Sequence, residues 1–412
     1  MALVDKKAPE LRLKGFTEDW ELCKFEDLLD KENGIRRGPF GSALKKEFFV
    51  KNSDFVVYEQ QNAIYDHYET RYKITEEKYN ELKAFNLTEN DFIMSGAGTI
   101  GRISKVPKGI KPGVFNQALI RFRIECKRTD SEYFIQFMRY EGMQKKLTGA
   151  NPGSAITNLV PMSEVKKWEI VVPQIEEQVR VGKFLKKLDN TITLHQRKLD
   201  HLKDLKQAYL QQLFPSDGNY TPKVRFANFK INWEQCKLNK IAELNPKSVI
   251  PEVFEYVDLE SVVGIELIGH RTENKYSAPS RAQRLAQNND IFFQTVRPYQ
   301  KNNYLFELPY NNYVFSTGYA QIRPRNNGYF LLNLVQEKSF VNKVLERCTG
   351  TSYPAINSND LAEIPIRVPI DTNEEIQIGS FFKQLDKNIT LHKQKLSKLE
   401  RLKSAYLQKM FI

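Results

Sequence analysis

One string in the chain has the outline of a cofactor loop. Ser95-Gly96-Ala97-Gly98-Thr99-Ile100-Gly101 matches GxGxxG and follows the strand-like Asp91-Phe92-Ile93-Met94. A dinucleotide site needs a helix to open at the third glycine, so that its N-terminus meets the pyrophosphate. Here Pro107, Gly109, Pro112 and Gly113 follow, which forbids a full helix, and the corresponding stretch Gln294-Thr295-Val296-Arg297-Pro298 has no glycine. A Walker loop fails as well, because Arg102-Ile103 stands where Lys-Ser/Thr is required. Asn151-Pro152-Gly153-Ser154 carries only the first half of an Asn-Pro-Pro-aromatic base-holding box. Glu76-Glu77-Lys78 and Glu81-Leu82-Lys83 have nuclease-like residue types but lie in a charged, helical stretch that reads as a solvated face. His67, His201 and Cys126 stand apart from one another, so no triad and no metal cluster is legible. The expectation is a chain with no catalytic site, metal or cofactor of its own.

A different chemistry is better represented: side chains that can read base edges, placed on loops marked by Gly or Pro. In the first half these are Arg36, Arg37 and Ser42 within Arg36-Arg37-Gly38-Pro39-Phe40-Gly41-Ser42, then Lys45, Lys46, Arg102, Asn116 and Gln117. In the second half they are His270-Arg271, Lys275, and Arg297, Tyr299, Gln300 and Lys301. Arg and Lys match guanine edges and Asn and Gln match adenine edges by donor and acceptor geometry. Each alone also reads as an ordinary surface residue.

The whole chain supports a polyanionic partner. It has 412 residues with 62 Lys+Arg against 50 Asp+Glu, a formal charge of +12. The length allows two or three domains with real cores, and 41% hydrophobic residues exclude a disordered or collagen-like chain. No apolar run approaches the roughly eighteen residues of a spanning helix. The start, MALVDKKAPELRLKGF, has no secretory pattern. Cys23, Cys126, Cys236 and Cys348 are scattered, which suits free thiols in a reducing cytoplasm.

The elements that must carry these loops come from a duplication. FLKKLDNTITLHQRKLDHLKDLKQAYLQQLF begins at Phe184 and returns as FFKQLDKNITLHKQKLSKLERLKSAYLQKMF from Phe381, with 18 identities in 31 positions. Upstream, Pro9, Arg12, Phe16, Trp20, Glu21, Cys23 and Lys24 align with Pro222, Arg225, Phe229, Trp233, Glu234, Cys236 and Lys237. Between these blocks only scattered matches survive, among them Asp91 with Asp290, Val114-Phe115 with Val314-Phe315, and Pro173 with Pro369. The chain thus reads as α+β, a tandem duplication of a mixed α/β globular part plus a long helix. The expected boundaries are 1–172 and 215–369 for the globular parts, and 173–214 and 370–412 for the helices.

Within the helices, apolar residues recur at Leu188, Ile192, Leu199, Leu202, Tyr209 and Leu213. With His195 and Lys206 the spacing alternates four and three, the seam of a coiled coil. The copy repeats it at Leu385, Ile389, His392, Leu396, Leu399, Lys403, Tyr406 and Met410. The short PSDGNYTP link after Phe214 then predicts two antiparallel helices of roughly 57 Å, with the globular parts at opposite ends and a pseudo-twofold axis between. His195 and His392 would meet near that dyad and fix register, unless each is satisfied separately. Glu177 to Phe214 holds eight Lys/Arg against four Asp/Glu, as does Glu374 to Phe411. Beside a duplex such a face could follow phosphates without reading sequence.

In its duplicated layout, its FxxxLDxxITxHxxKLxxL…YLQ helices and its GPFGS loop at Gly38 to Ser42, the chain resembles the specificity (S) subunit of bacterial type I restriction-modification enzymes. Ala155-Ile156 and Ala355-Ile356 fit the same pattern. The second half lacks both the GPFGS loop and the glycine loop. The resemblance implies two target-recognition domains, each reading one half of a bipartite double-stranded DNA target, with the helices as a ruler for the gap. It implies docking of two modification subunits, which bind S-adenosylmethionine and methylate adenine, and of restriction subunits that use ATP and Mg. Because the globular parts differ, the half-sites should differ. Two other readings stand beside it: a self-contained methyltransferase or nuclease, which needs a cofactor or metal motif not seen here, and a helical scaffold with no salt-dependent DNA affinity.

Overall fold

The computed structural model describes residues 8–149, 160–350 and 352–412. Asn151–Ser154 and Ala155-Ile156 fall outside them. Two compact units are formed: one holds the chain up to His195 together with Lys395–Ile412, the other Gln196–Gln394. Each unit therefore contains one globular part and a segment of both long helices, instead of following chain order.

The first unit is built from short strands whose apolar runs are buried on both faces, such as Phe92–Ser95 and Leu119–Phe122. A four-stranded antiparallel sheet runs in the order Ile35–Arg37, Leu119–Phe122, Phe92–Ser95, Ile103–Lys105. Beside it lies a three-stranded sheet of Tyr72–Ile74, Phe55–Tyr58 and Gly113–Phe115, the last two parallel. Glu21–Lys24 pairs with Glu169–Val172 and closes the part where its two ends meet.

The second unit repeats this plan. Its order is Ala242–Leu244, Tyr319–Pro324, Ile291–Gln294, Tyr304–Leu305 in one sheet. Arg271–Asn274, Val253–Val257 and Tyr313–Ser316 form the other, again with one parallel pair. An added strand, Ala282–Leu285, lies where the first unit has the helix Glu76–Glu81 and a 3-10 turn. Glu234–Lys237 with Pro365–Val368 forms the closing ribbon.

Scattered identities in the sequence turn out to be the struts of this shared plan. Asp91 takes the Arg123 guanidinium (2.6 Å) and Asp290 that of Arg323 (2.8 Å). Arg12 grips the buried Glu177 carboxylate with two bonds of 2.8 and 2.7 Å, and Arg225 grips Glu374 with two of 2.7 Å. These carboxylates sit in the first turns of the long helices, where negative charge also suits the helix dipole.

The long helices run Ile175–Gln212 and Thr372–Met410, two residues inside the expected 173–214 and 370–412 at each end. Phe214 and Phe411 lie just past the helix ends and are buried in the cores. In the first unit Phe184 packs edge-on to Tyr406 (4.9 Å) and Asp189 meets Lys403 (2.5 Å). In the second the same contacts occur with the helices exchanged: Tyr209 on Phe381 (4.8 Å) and Lys206 on Asp386 (2.6 Å). Both sets of pairs require the helix segments of a unit to run antiparallel. Every seam residue is buried or half-buried: Leu188, Ile192, His195, Leu396, Leu399 and Tyr406 in the first unit, Leu199, Leu202, Tyr209, Leu385, Ile389 and His392 in the second.

One glycine per helix was not singled out by pattern. Gly182 and Gly379 let each long helix touch the N-terminus of a globular-part helix, Ser131–Arg139 or Gly328–Gln336. A Cβ on Gly182 would stand 2.6 Å from the Tyr133 nitrogen, and one on Gly379 would stand 2.2 Å from Asn327 Oδ1. Asp130 and Asn327 are the capping residues there, so the helix packs directly on the cap.

Candidate nucleic-acid interface

In the first unit the sheet gathers three strings that are far apart in sequence. The chain leaves Ile35–Arg37 into Gly38, whose amide donates to the Leu119 carbonyl (2.9 Å). Only glycine fits there, because a Cβ would lie 1.9 Å from the Asn116 carbonyl oxygen. A Cβ on Gly41 would likewise stand 2.4 Å from Oε1 of the Gln117 side chain. The glycine loop joins them through the Gly96 amide on the Ala118 carbonyl (2.7 Å). Together they line an open groove of about 880 Å³ that includes Arg37, Phe40, Ser42, Ala97 and Gln117. Phe40 is 91% exposed at its side, an apolar ring with no core to fill.

Around this groove the charge is positive. Arg36 is half-buried with its guanidinium 5.8 Å from the Phe85 ring, and Arg37 is exposed. Lys45, between the 3-10 turns Gly41–Leu44 and Lys46–Phe48, and Lys46, which opens the second, are exposed, with Lys45 lying 3.8 Å from Glu47. Arg102 is exposed, its backbone amide fixed by Ser95 Oγ (3.0 Å), while Asn116 Oδ1 accepts from the Ala118 amide (3.1 Å). Beneath, Arg36 faces Arg121 across the strand pair. Burial and then the neighbouring Arg123 push the Arg121 guanidinium down to about 10.

The GxGxxG string is a hairpin turn. Gly98 and Gly101 adopt positive φ (+61° and +81°), and Ser95 Oγ donates to the Thr99 carbonyl (2.5 Å). Strand Ile103–Lys105 follows immediately, so no helix N-terminus opens onto the loop. Among the described residues no three His, Cys, Asp or Glu side chains are grouped as a metal ion would require. No helix among them is long and apolar enough to cross a membrane.

In the second unit the predicted residues divide between two places. Arg297, Tyr299, Gln300 and Lys301 form the turn after Ile291–Gln294, the structural counterpart of the glycine loop. His270, Arg271 and Lys275 lie at the outer strand of the other sheet. There Arg271 is held by Asp258 and Glu273 (2.7 Å each) over the Tyr256 ring, and His270 Nδ1 sits 2.8 Å from Glu255. Lys275 is exposed beside Tyr276, which is 85% exposed. Lys301 is largely given to the scaffold: its ammonium donates to the Gln336 carbonyl (2.7 Å), and burial lowers its pKa. Gln300 Oε1 accepts from Gln294 (2.9 Å), and Tyr299 is half exposed. The sequence reading missed Tyr353, whose ring lies 4.2 Å from the Arg297 guanidinium. Fifty-six positions separate the two residues, and backbone pairing of Thr295–Arg297 with Pro354–Ile356, including the Val296–Ala355 bridge, brings them together.

Residues 17–204 and 230–401 each match the family model described as the type I restriction modification DNA specificity domain. Among solved structures, the chain is similar to a type I restriction-modification system S subunit from M. genitalium, with a TM-score of 0.63 and 16% identity over 98% of this chain and 99% of that one. It is also similar to a chain from a structure on complex assembly and conformational transition of the type I R-M system, with a TM-score of 0.52, 16% identity, and 95% and 97% coverage. At these identities the likeness is one of fold.

Proposed function

The chain belongs to the family of type I restriction modification DNA specificity domains, and on that premise we propose that it is the specificity subunit of a type I restriction-modification complex. Each globular part reads one half of an asymmetric bipartite target in double-stranded DNA. The long helices set the gap between the halves and dock two modification subunits. Those subunits bring S-adenosylmethionine and methylate adenine, and restriction subunits bring ATP- and Mg-dependent cleavage. The chain contributes recognition, and the reacting groups belong to its partners.

The observation that carries this reading is the pairing of one scaffold with two different loop sets. Both units share strand order, the parallel pair, the Asp–Arg strut and the helix-start ion pair. At the equivalent place one unit carries a glycine hairpin at Ser95–Gly101 and the other the Arg297–Lys301 turn. A repeated frame with unlike loops suits a reader of two unlike half-sites. The basic helices suit phosphate contacts that position without specifying.

The test is DNA binding by the chain assembled with its modification subunits, measured across salt. For a reader that neutralises several phosphates the logarithm of the binding constant falls linearly with log salt, with a slope of about −0.9 per phosphate on duplex DNA. It should also retain preference for one sequence under competition. A helical scaffold outside restriction-modification predicts a flat salt response.

A further inference from the structure

We infer that Arg297, stacked on Tyr353, reads a guanine in the half-site of the second unit, with Tyr353 as its positioning residue. This rests on the reading of the chain as a DNA-specificity subunit. The turn that carries Arg297 is held at several points. Arg297 has a left-handed backbone (φ +54°), uncommon for a residue with a Cβ and kept only where the surroundings hold it. Its amide donates to the Pro354 carbonyl (2.7 Å), and its carbonyl accepts from the Gln300 amide (3.0 Å). Gln294 Nε2 ties the same turn from below, to the Val296 carbonyl (2.7 Å) and to Gln300 Oε1 (2.9 Å).

The side chain then lies with its guanidinium 4.2 Å from the centroid of the Tyr353 ring, which is itself 63% exposed. Among the described residues no carboxylate pairs with Arg297, whereas Arg271 is spent on two. Stacking on an aromatic face occupies the plane of a guanidinium and leaves its N–H edge available for a two-point contact. In the major groove the edge that offers two adjacent acceptors is guanine O6 and N7. A phosphate could also accept two bonds, but it would carry no base identity.

The experiment expresses the full chain with its modification subunits in a methylation-free host and sequences the modified bases. The wild-type motif should contain a guanine in one half. Arg297→Gly, which keeps the left-handed backbone accessible, should lose preference for that guanine by roughly 10- to 100-fold, with the other half unchanged. Arg297→Lys, keeping the charge without the fork, should relax the same position. Tyr353→Ala should do so too, while Tyr353→Phe keeps the ring and the motif. A motif unchanged in Arg297→Gly and Arg297→Lys overturns the inference, as does uniform weakening at every site, the mark of a phosphate contact. A wild-type motif without guanine in either half also overturns it, and leaves the specificity reading standing. No motif at all from an assembled wild-type complex removes both.

Discussion

Replacing Gly182 by Ala reverses the usual sign of a helix substitution. In an exposed helix interior, Gly→Ala is worth about 1 kcal/mol in favour of folding. At Gly182 the new Cβ would lie 2.6 Å from the Tyr133 nitrogen and 2.7 Å from Asp130 Oδ1. The first is backbone and cannot swing away. The second is the cap that accepts from the Glu132 (3.0 Å) and Tyr133 (2.9 Å) amides. Overpacking of this kind costs about 1–3 kcal/mol, and a disturbed cap costs about 1 kcal/mol more. After the propensity gain, the net is a loss of roughly 1–3 kcal/mol, on the order of 5 °C in melting temperature for a unit of this size. Gly379→Ala meets first the Asn327 side chain at 2.2 Å and the Phe330 nitrogen only at 3.0 Å, so it should lose less. Thermal unfolding reads the total, and hydrogen exchange locates it: faster exchange at Glu132 and Tyr133 for Gly182→Ala, at Phe330 for Gly379→Ala. A melting temperature that rises for Gly182→Ala would refute the claim that this glycine exists for a close approach.

Arg225→Ala strips both bonds from the buried Glu374, and should cost about 3–5 kcal/mol in a denaturant titration. Arg12→Ala should cost less, because Trp20 Nε1 still donates to Glu177 (3.2 Å); equal losses would count against that backup bond. Burial pushes the Cys23 thiol up to about 11, so near pH 8 a thiol reagent should label exposed Cys126 first and Cys23 only on unfolding, as mass mapping would show. Seven residues inserted at matching seam positions in both long helices keep the four-three spacing and add roughly 10 Å. At about 3.4 Å per base pair the methylated motif should gain about three base pairs of gap with unchanged halves, and an unaltered gap would defeat the ruler.

The helices were the most legible part of the sequence, because a seam with alternating four-three spacing leaves few other ways to bury those residues. What the seam does not explain is the second apolar face near each helix start. Val181 and Leu185, like Ile378 and Phe382, are buried in the globular cores. The strand order was not legible: the strands are two to six residues long, some apolar throughout like Tyr313–Phe315 and others polar like Arg271–Asn274, so periodicity cannot assign a face or a partner. Local chemistry at the first unit's loops was readable, since GPFGS carries its glycines for close packing on Asn116-Gln117. Their gathering into one groove with the glycine loop was not, because it depends on the pairing of Ile35–Arg37, Leu119–Phe122 and Phe92–Ser95. The second unit shows the limit from the other side. Arg271 and Lys301 have the residue types of base readers, yet the structure engages one with carboxylates and the other with a carbonyl.

Modified-base sequencing of DNA from a methylation-free host expressing this chain with its modification subunits tests the central claim most directly. The account predicts a methylated-adenine motif with two unlike halves at a fixed spacing, which disappears when this chain is left out. An assembled complex that leaves no motif, or a motif that persists without this chain, would contradict it.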